Sequence, residues 1–88
     1  MMELENLRKQ IDAIDDQLIE LFKARMEVAA QIGQYKKQNG LPVFVPQREQ
    51  EKLEDVAQKA GQEMADYVRS LYQTLFQLSR DYQQSMKE

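Results

Sequence analysis

Four cations and three polar side chains in this 88-residue sequence have types and spacings that suit the capture of a small anion: Arg8, Arg25, Lys36 and Arg48, with Glu49, Ser79 and Gln83. Arg25 stands out first. Apolar residues fall at positions 4, 7, 11, 14, 18, 21, 28, 32 and 35, a seam of threes and fours along one side of a helix, and Arg25 occupies the slot that breaks it. A guanidinium buried in such a seam needs an anionic partner. Two kinds are open: a carboxylate of the protein itself, as a core salt bridge or a device that sets helix register, or an anion from outside.

Lys36 lies eleven residues beyond Arg25. Eleven helical steps return to within about 20° of the same face, about 16 Å further along the axis. Two long cationic side chains converging across that distance leave a gap fit for a small dianion. The plainer reading of Lys36 is a lysine answering the negative end of its helix. Arg48 and Glu49 open a second helix, where Glu49 alone reads as a first-turn acid and Arg48 alone as surface. Ser79 and Gln83 continue a column begun by Tyr72 and Phe76, either as a pocket wall or as an amphipathic pattern that frays. Arg8 precedes Arg25 by about 25 Å of helix and about 100° of rotation, so one straight helix cannot bring both to one small ligand. In an antiparallel or crossed dimer, Arg8 of one chain reaches the other chain's Arg25. Asp12, Asp15, Asp16, Glu20 and Lys23 sit off the seam as solvated face.

The elements that must hold these residues are all helical. The first helix is expected over about residues 4 to 38, stopped by "NGLP" at Asn39 to Pro42. "VFV" makes a short apolar link, and Pro46 suits the first turn of a second helix over about residues 46 to 60, ending near Gly61. A third is expected over about residues 62 to 86, with Met64, Val68, Leu71, Leu75, Leu78 and Tyr82 as its apolar stripe. A helix of about 35 residues is about 50 Å long, whereas a compact chain of this size is only about 30 Å across. The first helix therefore overhangs its own globule, and an intertwined homodimer is the simplest cover for its seam.

Composition narrows the chemistry. There is no Cys and no His, which removes disulfides, thiolate metal sites, the usual metal ligand and the usual near-neutral acid–base group. At this length a third kind of support, a partner chain, is the one left. A net charge of −3 disfavours a general nucleic-acid or anionic-membrane binder. With no long apolar run and an acidic start, the chain is expected to be soluble and cytoplasmic.

The stretch "LRKQIDAIDDQLIELFKARMEVAAQIGQYKKQNGLPVFVPQRE" resembles the long helix and connection of the all-helical class of chorismate mutases, and "YVRSLYQTLFQLSRDYQQ" extends the resemblance over nearly the whole chain. The Arg, Arg, Lys, Arg-Glu and Ser-x-x-x-Gln positions occur in family order. The resemblance implies a dimer of three-helix chains in which each active site borrows an arginine from the partner's long helix. It implies chorismate, a dicarboxylate with an enolpyruvyl ether, as substrate and prephenate as product. Arg25, Arg48 and Arg8 of the other chain would hold the carboxylates, and Lys36 and Gln83 would flank the ether oxygen. Glu49 would meet the ring hydroxyl, and Ser79 the region of the ring carboxylate. Such a pericyclic rearrangement needs no nucleophile, metal, cofactor or proton shuttle, in keeping with a chain that has neither His nor Cys. Catalysis would come from holding the reactive conformer and stabilising charge on the breaking C–O bond.

One position departs from the family pattern: Val45 stands where an Asp is common, and Val is a poor helix cap. Two other functions fit parts of the pattern. Isochorismate-pyruvate lyases share the fold and a similar cationic pocket, although Glu49, Ser79 and Gln83 together favour the mutase. A non-catalytic helical dimerisation or regulatory module would account for the seam but not for cations gathering at one cavity. The chain reads as one domain over residues 1–88, free-standing or part of a longer bifunctional protein.

Overall fold

A computed structural model describes residues 2–85. Three helices follow in order: α1 over Met2–Gln38, α2 over Pro46–Ala60 and α3 over Ala65–Ser85. No helix among the described residues is long and apolar enough to cross a membrane.

Local signals account for the boundaries. Gly40, at φ 64°, closes α1: its N–H donates to the Lys37 carbonyl, and the Leu41 N–H reaches back 2.8 Å to the Lys36 carbonyl. These two bonds form a Schellman cap, which needs a residue that tolerates the left-handed region. Val45 precedes α2 in an extended conformation and gives no side-chain cap, so Pro46 in the first turn sets the start. Gly61, at φ 86°, ends α2. The third helix begins later than its pattern suggests, because residues 62–64 form a turn and the Met64 carbonyl accepts the first helical bond, from Val68 at 2.9 Å. Met64 is therefore an exposed cap residue rather than part of the stripe. The expected end at residue 86 lies outside the described residues.

Packing is organised around α3. Both α1 and α2 lie against it and not against each other, which leaves a trough between them floored by α3. Leu53 and Ala57 of α2 and Phe76 of α3 are buried on one side, and Ala29 of α1 on the other. Small residues let α1 and α3 approach closely: a Cβ placed on Gly33 would stand 3.0 Å from Gln83 Cγ and 3.2 Å from Gln83 Cβ.

The apolar seam of α1 takes no part in this core. Leu4, Leu7, Ile11, Ile14, Leu18 and Leu21 are all exposed, from 46% for Leu7 to 68% for Leu21. Helix packing within the chain uses the neighbouring face, through Arg25, Ala29, Gly33 and Lys36. Leu71, Leu78 and Tyr82 of the α3 stripe are likewise exposed, and the column that faces α1 is Tyr72, Phe76, Ser79 and Gln83. The periodicity correctly marks apolar faces, but the chain leaves them open to solvent.

The dimensions say the same. The chain extends 56 × 29 × 14 Å, about one helix deep in its thinnest direction. Domains ordinarily bury apolar faces between two packed layers. Its radius of gyration is 16.4 Å, against about 12 Å for a compact chain of this size. Its accessible surface is 7234 Å², against about 5,400 Å² for a folded monomer of the same mass.

Candidate active site

The trough between α1 and α2 holds a cavity of about 450 Å³. This lies in the range of small-molecule clefts, about 300–1,000 Å³. α1 contributes Arg25, Ile32 and Lys36, three residues that share a face because they recur at helical spacing. The α1–α2 connection closes one end with Val43 and Val45. The first turns of α2 add Arg48, Glu49 and Lys52, and α3 forms the floor with Phe76, Ser79, Arg80 and Gln83.

Arg25 has no carboxylate partner among the described residues. Its Nη1 donates to Ser79 Oγ at 2.7 Å, and its guanidinium lies 5.8 Å from the Tyr72 ring centre and 5.9 Å from that of Phe76. Neutral groups hold the guanidinium in place, and no carboxylate among the described residues pairs with it. The rings also give the cation a favourable electrostatic surface at little desolvation cost.

Lys36 donates from Nζ to the Val43 carbonyl at 3.0 Å. It thus ties the start of the connection to α1 instead of serving the carbonyls of its own helix end. Val43 is buried, so this bond also satisfies a backbone group that water reaches poorly. Arg48 is exposed at the cavity rim and forms no ion pair among the described residues. Gln83 is buried, at 8% exposure, and lines the cavity; its carboxamide makes no hydrogen bond to the described residues, and no fully enclosed polar atom there lacks a partner. As a residue of the cavity wall, it carries a carboxamide able to donate to a ligand oxygen there.

Glu49 is held by Arg80, whose Nη1 bonds both carboxylate oxygens. Arg80 also lies 4.6 Å from the Phe44 ring centre and donates to Gln77 Oε1 at 2.9 Å. Lys52 is anchored by Asp55 at 3.4 Å. Lys59 first, and then Lys52, hold the Asp55 carboxyl below the usual aspartate range. Five cations against one carboxylate line the cavity, in a chain whose net charge is −3. Such a local excess of positive charge concentrates anions.

Six of the seven residues singled out in the sequence, Arg25, Lys36, Arg48, Glu49, Ser79 and Gln83, line this one cavity. Arg8 does not; it is exposed on the far part of α1. Lys52 and Arg80 were missed. Lys52 stands one turn after Arg48 and Arg80 one turn before Gln83, so the spacing carried a signal, but each also fits an ordinary solvated face. The Val45 side chain reaches the cavity as an apolar wall and offers no polar contact.

Comparison with known proteins agrees with the residue pattern. The T-protein of Haemophilus influenzae is 44% identical over 64 residues, 69% of this chain and 17% of that protein. The bifunctional chorismate mutase/prephenate dehydratase of Aquifex aeolicus is 43% identical over 56 residues, 64% of this chain and 16% of its own length. The 4-amino-4-deoxychorismate mutase of Streptomyces pristinaespiralis is 30% identical over 74 residues, 82% of this chain and 57% of its own. The chain thus spans about a sixth of the length of the first two curated relatives. No solved structure matches it significantly. Residues 7–84 match the family described as Chorismate mutase type II, a span that reaches into all three helices and includes every cavity residue named above. The chain belongs to the type II chorismate mutase family.

Proposed function

We propose that the chain catalyses the rearrangement of chorismate to prephenate in phenylalanine and tyrosine synthesis, in the cytoplasm, as a homodimer with two active sites. The observation that carries this reading is the cavity itself, whose wall brings Arg25, Lys36 and Arg48 together with Gln83. Arg25 and Arg48 bind the two carboxylates of the substrate, and Ser79, which already orients Arg25, contacts the region of the ring carboxylate. Lys36 and Gln83 donate to the ether oxygen as its bond to the ring breaks and negative charge grows there. Lys36 is already oriented by its bond to the Val43 carbonyl, and donors placed where charge develops stabilise it. Glu49 accepts a hydrogen bond from the ring hydroxyl. The remaining acceleration comes from holding the substrate in the conformer that brings the two carbon termini together.

Arg8 of the partner subunit completes each site. Arg8 of the same chain lies outside the cavity, about 25 Å of helix from Arg25. The open apolar faces of α1 and α3, and an accessible surface well above that of a monomer of this mass, support a second copy seated along the long helix.

The test is the loss of chorismate absorbance with prephenate as product, measured on protein of determined oligomeric state. Pyruvate release from isochorismate with no prephenate from chorismate would instead identify a lyase. Turnover of neither would leave a helical dimerisation module.

A further inference from the structure

Arg80 has no part in the chemistry above, yet its ion pair with Glu49 sits in the cavity wall. Both side chains are only 23% exposed. Arg80 comes from α3, Glu49 from α2, and Phe44, stacked on the guanidinium, from the α1–α2 connection. One arginine therefore joins three segments around the cavity and leaves Glu49 little freedom to swing.

On the reading of this cavity as a chorismate mutase site, we propose that Arg80 is a positioning residue that sets selectivity. By pairing with Glu49 it makes the site prefer a neutral hydroxyl over a cationic ammonium group at the ring position that Glu49 meets. The two oxygens of a carboxylate offer about four acceptor sites, so Glu49 can serve Arg80 and still accept one bond from a hydroxyl. An ammonium group needs more: a negative charge not already matched. Glu49 has none to spare, and the other charged side chains lining the cavity, Arg25, Lys36, Arg48 and Lys52, are all positive. An ammonium beside Glu49 also stands close to the Arg80 guanidinium, and like charges at such a distance in a partly dry site repel strongly. Selectivity of this kind rests on a repulsive element against the wrong substrate as well as on attraction to the right one.

The experiment compares kcat/KM for chorismate and for 4-amino-4-deoxychorismate, which carries an amino group in place of the ring hydroxyl. Wild type is expected to favour chorismate. Arg80→Gln removes the neutralising charge and should move the ratio toward the amine by about tenfold or more. Arg80→Lys keeps the charge and should stay within about threefold of the wild-type ratio. Glu49→Gln leaves Arg80 unmatched and should move the ratio the other way, so the inference remains testable if Arg80→Gln does not fold. A merely structural Arg80 would lower turnover of both substrates alike; an unmoved ratio in folded Arg80→Gln, or in Glu49→Gln, overturns the inference. A wild type that favours the amine overturns it as well. A wild type that turns over neither substrate overturns the proposed function, whereas an active wild type with an unmoved ratio overturns the role of Arg80 alone.

Discussion

Arg25 is held by a hydroxyl and two aromatic faces, with no carboxylate partner among the described residues, and that arrangement separates its effect on stability from its effect on activity. Removing one member of a buried ion pair strands the other, at about 3–5 kcal/mol. Arg25→Ala strands only the Ser79 hydroxyl, which borders the cavity, and a neutral hydrogen bond contributes about 1 kcal/mol. The variant is therefore expected to unfold within a few degrees of wild type while losing well over a hundredfold in kcat/KM for chorismate, since it lacks a desolvated charge on the substrate. Thermal unfolding and a turnover assay on the same sample check both halves, and turnover within about threefold of wild type would end the anion-pocket reading. Gln83 supports a second prediction. As a neutral donor it needs no proton from solvent, so kcat/KM should stay level from pH 5 to 8. Gln83→Glu donates only when protonated, so its kcat/KM should fall as pH rises through that range, with a steeper loss the lower its carboxyl titrates. Both residues were legible in the sequence because each is polar in a column that is otherwise apolar or aromatic. Arg80 and Lys52 were not: each lies among charged and polar neighbours, and a pattern of residue types cannot tell a cation turned into a cleft from one turned to water.

At the scale of elements, the decisive contact is the crossing of α1 and α3 at Gly33. A methyl group there gains about 1 kcal/mol of helix propensity over glycine. It also meets Gln83 Cγ at 3.0 Å and Cβ at 3.2 Å, and overpacking of this sort costs about 1–3 kcal/mol. The two effects nearly offset one another in stability, but not in geometry, because the side chain that must give way is Gln83, the proposed donor to the ether oxygen. Gly33→Ala is expected to change the melting temperature by only a few degrees and to lower kcat/KM about tenfold, in line with the sensitivity of catalysis to small displacements. A bulkier Gly33→Leu should separate the helices and lower both. The three helices themselves were legible from apolar spacing and from the Asn-Gly and Pro signals at their ends. The identity of the in-chain face was not. Ala29 and Gly33 carry it, and small residues add little to a hydrophobic pattern although they permit the closest approach of two backbones. The stronger apolar seam, by contrast, belongs to a surface that the single chain leaves open.

At the scale of the whole molecule, one layer of helices with a 37-residue α1 leaves the chain with more apolar surface than it can cover and with Arg8 far from the cavity. The overhang was legible from helix length alone, and the distance between Arg8 and Arg25 on one helix already pointed to a second copy for the missing grip. The proposed two-fold dimer would answer both problems: each α1 would cover the other's seam and carry its Arg8 to the other's Arg25. A two-fold interface is self-complementary, so both sites of the dimer are built in the same way. Complementation distinguishes this from a site completed within one chain. Arg8→Ala and Arg25→Ala homodimers should each be nearly inactive, since every site in them lacks one cation. When the two variants are unfolded together and refolded as a mixture, about half of the dimers formed are mixed. In a mixed dimer one site combines the intact Arg25 of one chain with the intact Arg8 of the other, and its second site lacks both. About a quarter of wild-type activity should then return, measured per total chain. If Arg8 instead served its own chain's cavity, every site in every dimer would still lack one arginine, and mixing would restore nothing.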